Sequence, residues 1–94
     1  MFDIEIGSPG NIRLIGRLDA AEAERATRVF REFNHPLVAD FSDLEYISSA
    51  GISVLIETYK RLTAAGHSFR LINMKPRVRN VFAYAGLDRL LQIE

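Results

Sequence analysis

No cysteine and no tryptophan occur among the 94 residues. Without thiols neither a disulfide nor a thiolate-bound metal is available, so an apolar core must hold the fold. The three prolines and six glycines are too scattered to make a linker, and no repeat or low-complexity segment is present. Nor is charge of one sign in excess. Twelve basic and twelve acidic residues leave a formal net charge of zero, so no global field draws nucleic acid or acidic lipid. Apolar runs fall far short of the roughly 20 residues that span a membrane. Asp3 and Glu5 interrupt the N-terminal segment, which therefore does not resemble a signal peptide. The expectation is a soluble, cytoplasmic protein with no nucleic-acid partner and no membrane insertion.

What is present is a core in waiting. Hydrophobic residues make up 48% of the chain and are spread from end to end. The length suits one domain, 1–94, which can fold unaided although small domains bury a smaller share of their surface.

Phe2 to Ile6 alternates apolar with acidic residues, the period of a half-buried strand. Ser8-Pro9-Gly10-Asn11 signals a turn, and Ile12 to Leu18 gives a second strand, simplest as an antiparallel pair. Asp19 opens a helix, with Glu22 as a capping-box partner and Ala23, Ala26, Phe30 and Phe33 at helical spacing. Asn34-His35-Pro36 closes it. Leu37 to Phe41 reads as a short central strand, and Ser42-Asp43-Leu44-Glu45 as the turn leaving it. A second helix is predicted from about Ala50 to Ala65, ended by Gly66. Phe69 to Ile72 makes a fourth strand. Pro76 suits the first turn of a third helix, with Val78, Val81, Phe82 and Ala85 as its stripe and Gly86 as its end. Leu90 to Ile93 adds a last short strand. The order β-β-α-β-α-β-α-β implies an α/β layer sandwich with parallel pairs joined by right-handed crossovers.

Ligands and partners of such sheets meet the carboxyl ends of central strands, and Tyr46-Ile47-Ser48-Ser49-Ala50-Gly51-Ile52 lies just beyond one. Ser48 or Ser49 is the natural N-cap of the second helix. The free amides and dipole of a helix start also tolerate a phosphate, so a two-serine turn is a candidate phosphorylation switch. Gly51 is expected to let a partner approach closely. Ile52 is either core or the apolar anchor of that surface. Tyr46, Tyr59 and Tyr84 read as core-edge residues. Enzyme chemistry is not expected. A nucleophilic serine needs an oriented base, no G-x-S-x-G elbow occurs, and His35 and His67 fall at the opposite, amino end of the sheet. Neither histidine has metal-ligand spacing, Asp40 and Asp43 lack a third ligand, and no glycine-rich phosphate cradle is present. The acidic stretch 37–49 and the basic stretch 70–79 read as solvated faces.

Three stretches come in a telling order: Leu14-Ile15-Gly16-Arg17-Leu18-Asp19; Val38-Ala39-Asp40-Phe41-Ser42 through Leu44-Glu45-Tyr46-Ile47-Ser48-Ser49-Ala50-Gly51-Ile52; and Phe69-Arg70-Leu71-Ile72 with Pro76, Val78, Phe82 and Ala85-Gly86-Leu87. Together they cover nearly the whole chain and resemble a STAS domain of the anti-sigma-factor-antagonist type. The second stretch is the specific one. The resemblance implies a STAS-type layer sandwich on a mixed sheet of four to five strands. It also implies phosphorylation of a serine at the start of the second helix, by a partner kinase that doubles as an anti-sigma factor. By position that residue is Ser49, with Ser48 the alternative, since Ser48 stands where the family often has aspartate. The implied partner surface comprises Gly16, Leu18, Asp19, Tyr46, Ser48, Ser49, Ala50, Gly51 and Ile52. The implied partners are a serine-kinase-type anti-sigma factor and a metal-dependent serine phosphatase, and no cofactor is implied. A constitutive STAS scaffold or transporter-associated subunit, without phosphorylation, is the other reading.

Overall fold

A computed structural model describes all residues from Met1 to Glu94. The alternating N-terminal segment forms β1 (Phe2–Ile6), paired antiparallel with β2 (Asn11–Leu18). The turn between them closes through Asn11 N–H donating to the Ser8 carbonyl at 3.0 Å. Gly10 supplies the left-handed φ of +86° that the turn requires. Beyond this hairpin each strand is followed by a helix: α1 (Ala20–Phe30), β3 (Leu37–Ile47), α2 (Ser49–Ala64), β4 (Phe69–Ile72), α3 (Pro76–Tyr84), then β5 (Gln92–Ile93). The sheet order is β1-β2-β3-β4-β5, with every pair after the first parallel.

Because each crossover moves one strand over in the same direction, right-handed connections place all the helices on one face. Burial follows that arrangement. Leu37, Ala39 and Phe41 are fully covered, while their neighbours Val38, Asp40 and Ser42 on the other face are half-buried. Phe30 packs edge-on against Phe69 at 6.2 Å, and Phe41 against Phe82 at 6.4 Å, tying α1 and α3 to the sheet.

β3 is longer than the sequence predicts. The segment Ser42-Asp43-Leu44-Glu45, read as a turn, continues the strand to Ile47. Two register shifts against β2 explain the misreading. Each feeds an extra β3 residue into the ladder, so strict alternation slips, yet Leu44 is still fully buried. Four further expectations change. Glu22 does not close a capping box. Its amide donates to the Asp19 carboxylate at 3.2 Å while its own carboxylate accepts from Arg25. Leu90 and Leu91 do not extend the last strand, because a 3-10 turn at Leu87–Arg89 precedes it and leaves β5 two residues long. Val81 and Ala85 are exposed rather than part of the core stripe, and Tyr84, at 92%, and Tyr46 are exposed rather than at the core edge.

One cation fastens α1 to α2. The Arg61 guanidinium, from the last turns of α2, donates to the carbonyls of Phe30 and Phe33, each at 2.7 Å. The Phe30 carbonyl ends α1 and the Phe33 carbonyl lies in the turn just after it, where a positive charge is also favoured by the helix dipole. Arg61→Met keeps the buried stem and removes the donors. It is expected to lower stability by about 1–2 kcal/mol in urea denaturation. An unchanged midpoint would show that the guanidinium does not hold the two helices.

Candidate docking site at the paired helix starts

β2 and β3 end level with each other. Leu18 and Ile47 face one another in register, and the Ser48 amide donates to the Leu18 carbonyl at 2.9 Å. The chain then turns into α1 after Asp19 and into α2 after Ser48, so two helix starts lie side by side at the carboxyl end of the sheet. The capping question left open by the sequence has one answer. Ser48 is extended (φ −90°, ψ 171°) and its Oγ accepts the Gly51 amide at 3.1 Å. Ser49 is the first helical residue and is exposed. Its carbonyl accepts the Ser53 hydroxyl at 3.1 Å, while its own hydroxyl caps nothing. First-turn amides such as those of Ser49 and Ala50 have no acceptor within a helix, and the dipole adds partial positive charge there.

Glycine is required twice for this geometry. A Cβ on Gly51 would lie 2.8 Å from both Leu18 Cγ and the Leu18 carbonyl oxygen, and 2.9 Å from Ile47 Cγ1. The close approach at Gly51 is therefore internal, α2 against the ends of β2 and β3, and not an opening for a partner. Gly16 has φ +91°, and a Cβ there would come within 2.2 Å of the Met1 carbonyl. That same carbonyl takes the Arg17 amide at 2.9 Å.

The nine residues implied as partner-binding thus divide. Leu18 is fully buried, Gly51 is buried, and Ile52 is only 7% exposed. They build the rim from inside and offer no side chain to a partner, because apolar groups at the strand ends and the helix underside close the core. Asp19 is half-buried with its carboxylate capping α1, Ser48 and Gly16 are half-buried, and Ala50 is partly open. Tyr46 and Ser49 face solvent.

Sequence reasoning passed over Arg17. Its guanidinium carbon sits 4.3 Å from the Tyr46 ring centroid, a cation–π stack beside the serine turn. The signal was available: Arg17 occupies the alternate position to buried Leu18 within the quoted Gly16–Asp19 stretch, so it had to point outward. The acidic and basic stretches also meet instead of merely facing water. Glu45, one residue before Tyr46, pairs with Lys75 and with Arg77 at the start of α3. The hydrogen bond and charge of Lys75, helped by Arg77, hold its carboxyl below the usual carboxylate range.

The two histidines lie away from the helix starts. His35 lies before β3 at the opposite end of the sheet, its ring edge-on to Phe33 at 5.7 Å, and His67 lies in the turn before β4. No three His, Cys, Asp or Glu residues lie close enough to hold a metal ion. A trough of about 520 Å³ on the open sheet face, between Glu5, Arg13, Asp40 and Ile72, is remote from the helix starts. No helix is long and apolar enough to cross a membrane.

Comparison with known proteins agrees with this architecture. Residues 4–94 match the STAS domain family. A Bordetella bronchiseptica protein, BtrV, assigned as an anti-sigma factor antagonist, is 38% identical over 65 residues, which cover 69% of this chain and 55% of that protein. The chain thus spans little more than half the length of that relative. A crystal structure of a Thermotoga maritima protein, also assigned as an anti-sigma factor antagonist, superposes with a TM-score of 0.82. It is 26% identical, over 99% of this chain and 85% of that one. The phosphorylated form of the Bacillus cell fate determinant SpoIIAA shares the fold at 20% identity and a TM-score of 0.73, over 100% of this chain and 91% of that one. With residues 4–94 matched and the fold shared, this chain belongs to the STAS domain family.

Proposed function

We propose that this STAS domain is an anti-sigma factor antagonist, a binding module whose docking is switched by phosphorylation of Ser49. One observation carries the reading most. Ser48 takes the capping role, which leaves the Ser49 hydroxyl exposed and without structural duty at a helix start. The names of BtrV and the Thermotoga protein support the antagonist role.

Unmodified, the domain docks on a serine-kinase-type anti-sigma factor through the Asp19 turn and the first turn of α2, which releases the sigma factor. The kinase brings the nucleotide, since this chain has no phosphate cradle. In the transfer, Ser49 Oγ forms a bond to the γ-phosphorus of ATP. The bond from that phosphorus to the bridging oxygen breaks, ADP leaves, and the hydroxyl proton passes to a base of the kinase. The product carries about −1.5 to −2 additional charges. Helix-start amides and the dipole favour such an anion, so the fold is kept. Docking is lost instead, because the added charge must be desolvated at the interface. A metal-dependent serine phosphatase resets the switch.

Incubation of the chain with its cognate kinase and ATP tests this directly. Intact mass is expected to rise by a single phosphoryl group, and peptide mapping is expected to place it on Ser49. Modification on Ser48 would reassign the switch by one residue. No modification at all would favour a constitutive scaffold subunit.

A further inference from the structure

We propose that Arg17, laid over Tyr46, is the cation of the docking surface and receives a carboxylate side chain of the anti-sigma factor. The inference rests on the docking role proposed above and adds the chemistry of the contact.

Charge accounting singles the residue out. Arg13, Arg25, Arg28, Arg31, Arg70, Lys75 and Arg77 each sit in an ion pair with a carboxylate of this chain. Arg61 is occupied by the carbonyls of Phe30 and Phe33. Four cations have no such partner: Arg17, Lys60, Arg79 and Arg89. Of these, only Arg17 adjoins the serine turn. It faces Tyr46 in register, one step before Leu18 faces Ile47 and the chain enters Ser48.

The geometry favours a carboxylate in particular. Tyr46, itself 39% exposed, holds the guanidinium carbon 4.3 Å from its ring centroid and so restrains the side chain. The ring screens one side of the cation, and no carboxylate or carbonyl of this chain takes its N–H groups. A fork held in place binds a carboxylate bidentately and loses less side-chain freedom on docking than a loose one. The neighbouring carboxylate that would compete, Glu45, is already taken by Lys75 and Arg77, and Asp19 faces its own helix amide. The surface therefore presents one unmatched positive charge. Phosphorylation of Ser49 on the adjoining turn would set an anion beside that seat and oppose the incoming carboxylate.

The test is the dissociation constant of the unphosphorylated full chain for its cognate serine-kinase anti-sigma factor, at low and moderate salt. Arg17→Met keeps the stem and loses the charge; it is expected to weaken binding roughly fivefold and to flatten its salt dependence. Arg17→Glu is expected to weaken it further, and Arg17→Lys to recover only part of the loss because the fork is gone. All three should melt like the wild type, since Arg17 is exposed. Ala50→Arg, which blocks the first turn of α2 sterically, reports on the docking face itself. Lost binding in Ala50→Arg with Arg17→Glu and Arg17→Met within twofold of wild type would overturn the carboxylate contact and leave the docking role standing. Unaltered binding in every variant would overturn both.

Discussion

Replacing Gly51 by alanine is expected to cost about 2–3 kcal/mol and to lower the melting temperature by roughly 10–20 °C. In an ordinary helix the same change gains about 1 kcal/mol, because glycine is the poorer helix former. Here the sign reverses. The new methyl would meet Leu18 Cγ and the Leu18 carbonyl oxygen at 2.8 Å and Ile47 Cγ1 at 2.9 Å. Leu18 is fully buried and Ile47 nearly so, which leaves little room to rotate away. The carbonyl cannot retreat without releasing the Ser48 amide that it accepts. Relief therefore requires lifting the first turn of α2 off the strand ends, with loss of both packing and cap. Thermal melting followed by circular dichroism measures this. A Gly51→Ala protein as stable as the wild type would mean that α2 is not seated on Leu18, and the paired helix starts would lose their fixed geometry.

The second large effect concerns binding. Ser49→Ala should melt within about 1 kcal/mol of the wild type, because the cap belongs to Ser48. It should accept no phosphate and remain bound to the kinase. Ser49→Asp should also fold, since an acidic residue at a helix start is favoured by the dipole. Its affinity for the kinase should nonetheless fall tenfold or more, where tenfold corresponds to about 1.4 kcal/mol. The cause is a carboxylate that must be desolvated at the interface and competes there with the partner's own acidic group, and a carboxylate bears less charge than phosphate, so the mimic is partial. Titration calorimetry with parallel melts separates lost docking from lost folding. Equal affinity in a normally melting Ser49→Asp protein would remove Ser49 from the interface, and the constitutive-subunit reading would take precedence.

Much of the fold was legible because local chemistry and final packing agree. The Ser8 to Asn11 turn, the Asp19 start of α1, Pro36 before β3, Gly66 after α2 and Pro76 at the head of α3 each act through their own backbone preference. The misreadings fall where distant residues decide. The polar run from Ser42 to Glu45 looks like a loop until β2 offers it a ladder with two shifted registers. Gly51 looks open to a partner until Leu18, more than thirty residues earlier, is found beneath it. Tyr84 looks like a core-edge residue until α3 ends with that side in solvent. At the candidate site the serines were visible as a pair, but their division of labour was not. Two adjacent hydroxyls have equal claims to a cap, and only the backbone angles at Ser48 decide between them.

The pairing of Leu18 with Ile47 also bears on when this surface comes into being. The β1–β2 hairpin is local and can close in microseconds. The docking face cannot, because it joins two turns that are remote in sequence and meet only after β2 and β3 align in parallel across α1. Such non-local closure belongs to the slow part of folding. A chain caught midway, with its hairpin formed and its helices drifting, has no contiguous face at the paired helix starts. On the docking role proposed above, recognition at this rim would be recognition of a completed molecule.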